Sequence, residues 1–244
     1  MNICQFWQVI DVTQAPTPEE QVELFKINLR QLSPEELTEF DRIFTERSFA
    51  AYGWDLWVVA WLCQGGMCSD DGFEYFRRWL ISRGRVLYDA AMEDPDLLVD
   101  EISRVNCPEF EEFPHAIYDV YKEKTGQDFP QINIQYPKEP TGGDWLRPEL
   151  KDRSGSQILN LCVVFNEMGD QEFAAIERRF PKTWEYCVQK GIITTNPPAT
   201  PAPGDVPAPE EVAATVDPNL AQTDFAAYLK ALNEAAKKAY KKED

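Results

Sequence analysis

Histidine is nearly absent, and His115 is the single copy in 244 residues. A multi-histidine metal site is therefore excluded, and any hydrolase triad would have to form around that one ring. The six cysteines, at positions 4, 63, 68, 107, 162 and 187, form no C-x-x-C pair. Those at 63, 162 and 187 sit in apolar helical patterns, where a thiol serves as a small hydrophobe. Long apolar runs are missing too, since no stretch approaches the roughly 20 residues of a membrane span. The opening MNICQFWQVIDV has no basic segment ahead of an apolar one, so no secretory signal is expected. No P-loop, G-x-G-x-x-G or H-E-x-x-H pattern occurs.

Positive charge is scarce as well: 24 Lys and Arg face 42 Asp and Glu, a net charge of −18. Nucleic-acid binders draw most of their affinity from basic groups that neutralise phosphates, so DNA and RNA are not expected as partners. Anionic membrane surfaces repel such a chain, whereas basic or neutral partners do not. The same acidity is also what a well-solvated surface looks like. These features together predict a cytoplasmic protein with reduced thiols, no metal, no cofactor, and no nucleic-acid or membrane contact.

What is present is mostly helical signal. Thr17-Pro18-Glu19-Glu20 and Ser33-Pro34-Glu35-Glu36 each place a hydroxyl at N-cap, Pro at N1 and Glu at N3. Val22, Phe25, Leu29 and Leu32 follow the first at helical spacing, and Leu37, Phe40, Ile43 and Phe44 follow the second. From Tyr52 to Cys63 the chain is apolar almost all round, as a helix buried on most sides would be, and Gly65-Gly66 ends it. Ser69 caps the next helix, with Asp70 and Asp71 in its first turn and Phe73, Phe76 and Leu80 on its inner stripe. Further helices are predicted from Asp94-Pro95-Asp96, from Phe113 to Lys124, around Ile158 to Phe165, and from Phe173 onward. Gln131 to Tyr136 alternates as a short strand does. The expected fold is mainly α: one helical domain over 1–193 with at most a short strand pair.

Beyond it, seven prolines between 194 and 218 mark an extended linker. Residues 219–244 read as a C-terminal amphipathic helix. Phe225, Tyr228, Leu229 and Leu232 share one face, opposite Lys230, Lys237, Lys238 and Lys241.

The stretch YGWDLWVVAWLCQGGMCSDDGFEYFRRWLISRGR, from Tyr52 to Arg85, holds four of the seven tryptophans and four arginines. With the following AMEDPDLLVDEI, the N-terminal FWQVID and the SPEELTEF helix, it resembles the bacterial domain of unknown function 4240 family over roughly residues 3–126. The resemblance implies a helical domain and no particular activity, so the site must be argued from chemistry.

Each candidate in this stretch has a binding reading and a structural one. Ser69, Asp70 and Asp71 would hold a cation or a ligand amine, or they are a cap with dipole-matched acids. A hard-cation cage needs about six oxygen ligands, which two neighbouring acids do not supply. Among Arg77, Arg78 and Arg83, either Arg77 or Arg83 would clamp an anion or phosphate through its planar fork, or the cluster locks the helix pair through ion pairs, Arg78 with Glu74 at i,i+4. Trp54, Trp57 and Trp61, with Trp79, would line an aromatic pocket, or they form core, with Asp55 accepting a tryptophan N–H. His115, after Phe113-Pro114, reads as a surface or capping residue.

The leading expectation is a non-catalytic cytosolic binding or regulatory module for a partner protein or small ligand. Its groove would lie at the Gly65–Arg85 corner, and its C-terminal helix would dock through Phe225, Tyr228, Leu229 and Leu232. The alternative is an enzyme on a small anionic substrate, with an Arg77 or Arg83 clamp and Asp70 or Asp71 as acid or base. A third expectation is an acidic decoy for another protein's basic surface.

Overall fold

Asn2 starts the first helix: its side chain accepts from the Gln5 N–H while the Gln5 side chain accepts from the Asn2 N–H. This reciprocal box opens α1 (Ile3–Asp11), which buries Phe6, Trp7 and Ile10. The computed structural model describes residues 1–66, 68–105, 108–148 and 168–193. The helix expected around Ile158–Phe165, Cys107, Cys162, the proline-rich linker and the C-terminal helix all lie outside the described residues.

Both proline-led starts are used. Thr17 accepts from the Glu20 N–H to open α2 (Pro18–Leu29), and Ser33 and Glu36 close a full capping box at α3 (Pro34–Ala50). Next comes α4 (Trp54–Cys63), with eight of its ten residues buried. Gly65 and Gly66, with φ of 68° and 81°, adopt the left-handed backbone that terminates it. After it come α5 (Asp70–Ser82) and α6 (Arg85–Glu93). Asp94-Pro95-Asp96 begins a 3-10 turn (Pro95–Leu98) that runs into the short α7 (Val99–Ile102). Then α8 (His115–Thr125) ends at left-handed Gly126. The periodic run from Phe173 is split by Pro181 into α9 (Asp170–Arg179) and α10 (Pro181–Gln189). Proline removes a helix N–H and crowds the preceding turn, so the pattern continues while the helix does not.

The described residues from Met1 to Ile193 form one unit around α4. Helices α1, α2, α3, α5 and α8 pack among themselves, and α10 covers α4 together with the 3-10 turn. Phe25 stacks on Phe113 at 4.3 Å, and Trp57 stacks on Phe73 at 4.4 Å. Full burial of such a ring is worth about 2–3 kcal/mol, so these pairs dominate the core.

Among the described residues there is no β-strand. The strand predicted over Gln131–Tyr136 is instead an irregular segment. Its alternation is real, with Ile132 and Ile134 half-buried, but no neighbouring backbone offers a ladder. One isolated parallel bridge pairs Gly53, just before α4, with Thr141, five residues beyond that segment. No helix among the described residues is long and apolar enough to cross a membrane.

Candidate functional site

The residues concentrated between Tyr52 and Arg85 hold the fold together. Trp54, Trp57 and Trp79 are buried, and the Trp57 indole donates to the Cys68 carbonyl at 3.4 Å. Ser69 is the cap of α5 and accepts from the Gly72 N–H at 3.1 Å. Asp70 and Asp71 are exposed in the first turn, where the helix dipole favours a carboxylate. Asp55 accepts a tryptophan N–H as expected, but from Trp145 (2.7 Å), and it also pairs with Arg179 (2.5 Å).

The arginines are engaged as well, although the buried Arg83 Nε has no partner among the described residues. Arg77 has no exposed surface. It donates through Nε to the Phe73 carbonyl (3.3 Å), through Nη1 to the Ser48 carbonyl (2.9 Å) and through Nη2 to the Tyr136 hydroxyl (3.0 Å). Its guanidinium also lies 5.0 Å from the Tyr52 ring centre and 5.1 Å from that of Phe73. Arg78 pairs with Glu74 and donates to the Glu111 carbonyl at 2.8 Å. Arg83 donates to Gln21 and lies 3.9 Å from Glu101, and burial lowers its pKa. A groove with free charged walls is not what these residues build.

A chemically distinct arrangement lies between α3, α8 and the irregular segment. Asp41 and Thr45 from α3, Tyr118 from α8, and Phe129, Pro130, Gln131 and Ile132 line a cleft of about 450 Å³. Asp41 is only 5% exposed. Burial pushes its carboxyl up to about 6, against the smaller lowering effects of the neighbouring Tyr118 hydroxyl and of Arg78. Burial, followed by the neighbouring Asp41 carboxylate, pushes the Tyr118 phenol up to about 12. The Tyr118 ring lies 4.8 Å from Phe129, which sits 5.0 Å from Tyr121. The exposed His115 begins α8, and its ring lies 6.2 Å from that of Tyr118.

The sequence does carry a signal for Asp41. Leu37, Phe40, Ile43 and Phe44 mark the buried stripe of α3, and Asp41 lies on that stripe, four residues after Leu37 and three before Phe44. A carboxylate on an apolar face needs a partner or an unusual proton affinity.

The other buried polar groups are structural. Asp96 accepts from the Lys182 and Thr183 N–H groups at the start of α10, and Glu172 pairs with Arg147 at 2.5 Å. The Cys63 and Cys187 thiols are neighbours between α4 and α10, and the Cys187 thiol together with burial pushes the Cys63 thiol up. Among the described residues no three His, Cys, Asp or Glu side chains are grouped to hold a metal ion. No curated protein and no solved structure matches the chain. The model of the family described as protein of unknown function (DUF4240) matches residues 1–123, and the chain belongs to that family.

Proposed function

We propose that this chain is a cytoplasmic, non-catalytic binding module whose ligand site is the Asp41–Tyr118 cleft. One observation supports this reading above the others: a carboxyl nine-tenths buried at a cleft, beside an aromatic and aliphatic wall. Folding does not require such a group, because an apolar residue there would extend the Leu37–Phe44 stripe without a desolvation cost. Small-ligand sites combine this kind of apolar lining with a few placed polar groups. The partner-binding part of the proposal rests on the sequence of the C-terminal helix, with Phe225, Tyr228, Leu229 and Leu232 as its docking face.

The test is purification of the full-length chain and of its Ile132→Trp form from the native cell, followed by native mass spectrometry. A bound mass present on the parent and absent when the indole fills the cleft supports the site. Identical masses for the two forms would remove it. A chain lacking residues 195–244 serves the docking proposal, which requires that a captured protein be lost with the tail.

A second reading has one observation behind it. A carboxyl with pKa about 6 is suited to general acid or base work at neutral pH, so the enzyme alternative moves from Asp70 and Asp71 to Asp41. It requires turnover that follows ionisation near that pH and disappears in Asp41→Asn.

A further inference from the structure

We infer that the cleft takes a small primary amine with an apolar tail, its ammonium against the Asp41 carboxylate and its tail along Phe129, Pro130 and Ile132. This rests on the cleft being the ligand site, and it deepens that reading by naming the ligand's chemistry.

Four observations converge on that class. The first is acceptor capacity. An ionised carboxylate offers about four lone-pair positions, and among the described residues the uncharged group that eases its ionisation is the neighbouring Tyr118 hydroxyl. An ammonium carries three donors, so it can fill what Tyr118 leaves open.

The second is uncompensated charge. The cation whose field reaches Asp41 is Arg78, which is already ion-paired with Glu74 and bonded to the Glu111 carbonyl. The charged and titratable groups acting on Asp41 and Tyr118 are Arg78 and Glu74 from α5, with His115 beside Tyr118 on α8. These leave the site short of one positive charge when Asp41 ionises.

The third is the wall. The Tyr118 and Phe129 rings, 4.8 Å apart, present aromatic surface beside the carboxylate, and a cation gains from ring faces when it is partly desolvated. Pro130 and Ile132 extend that surface with aliphatic groups suited to a hydrocarbon tail.

The fourth is size and field. About 450 Å³ lies within the range of small-molecule pockets, and a chain of charge −18 attracts cations from a distance. A metal ion fits poorly, because one carboxylate falls far short of the roughly six oxygens a hard cation requires. An anion would face the Asp41 charge directly.

The experiment uses the full chain and three molecules of one shape: phenethylamine, 2-phenylethanol and phenylacetate. Binding is measured by calorimetry at about pH 8 and about pH 5, on the parent, on Asp41→Asn and on Ile132→Trp, with thermal melts to establish folding. The expected result is that phenethylamine binds best at the higher pH and weakens as Asp41 takes up its proton near pH 6. It should lose roughly tenfold or more in Asp41→Asn, the size of one charge-assisted hydrogen bond, and it should be excluded by Ile132→Trp. If the alcohol or the carboxylate binds as well as the amine and is also displaced by Ile132→Trp, the cleft reading survives and the amine assignment falls. A lysine-bearing peptide that binds more tightly than phenethylamine overturns the small-molecule assignment. Three molecules that bind nowhere, or bind Ile132→Trp as tightly as the parent, overturn both readings.

Discussion

The α4–α5 pair and the α3–α8 cleft are made of the same materials, aromatic rings with charged groups set among them, and they treat the charges in opposite ways. In the first, Arg77 is sealed from solvent, yet each of its nitrogens reaches a carbonyl or hydroxyl and its plane lies against two rings. In the second, Asp41 is almost as buried but borders a cleft, and it holds its proton more tightly than usual. A satisfied buried charge contributes rigidity. A partly satisfied one costs stability, and sites that must accept something from outside tolerate that cost.

The comparison breaks most readily at Arg77. Replacing it with Met keeps much of the volume but leaves the Ser48 carbonyl and the Tyr136 hydroxyl without their donor. The expected loss is about 3 kcal/mol, read as a lower urea midpoint with an unchanged slope. Unchanged stability would mean that the buried guanidinium is not a structural element, and the anion-clamp reading would return.

Asp41→Asn should act in the other direction. The folded pKa of about 6 lies above the ordinary 3.8, so the folded chain binds the proton more tightly than the unfolded chain. The associated stability is therefore fully present below about pH 4 and is lost as pH rises through about 6. Above that pH the ionised carboxyl costs on the order of 3 kcal/mol. The amide avoids this cost, so Asp41→Asn should melt higher than the parent at about pH 8 and show no such gain at about pH 4. A variant that melts lower at both pH values would place Asp41 with the structural charges.

Smaller effects sharpen the contrast. Ser69→Ala removes the α5 cap and should cost about 1 kcal/mol in denaturant unfolding. Asp71→Asn loses only a dipole interaction, about 0.3–1 kcal/mol, and should leave phenethylamine binding unchanged. Altered binding in either variant would bring the α5 turn back as part of the site.

Most of the helices were legible in the sequence, and the reasons are local. Hydroxyl caps at Thr17, Ser33 and Ser69, and terminators at Gly65, Gly66 and Gly126, act through bonds within one turn. The same locality misled at Gln131–Tyr136, where alternation describes two environments but a strand needs a partner at hydrogen-bonding distance. The candidate site was hardest to read. Rare and costly residues crowd the Tyr52–Arg85 stretch, and Trp and Arg are as useful for locking a core as for holding a ligand. Asp41 looked ordinary beside Glu39 and Arg42, although its phase on the helix set it apart.

The sequence by itself determined the helical class, the capped starts and glycine stops of most of the helices, the apolar stripe on which Asp41 lies, and the membership in a family. Only the tertiary structure decided that Arg77 would be consumed by carbonyls from two helices, and that Asp41 would meet Tyr118 from 77 residues further along the chain, beside an irregular segment. Caps and periodicity act over three or four residues. A cleft needs surfaces from distant parts of the chain, and the proton affinity of its carboxyl depends on how completely those surfaces exclude water.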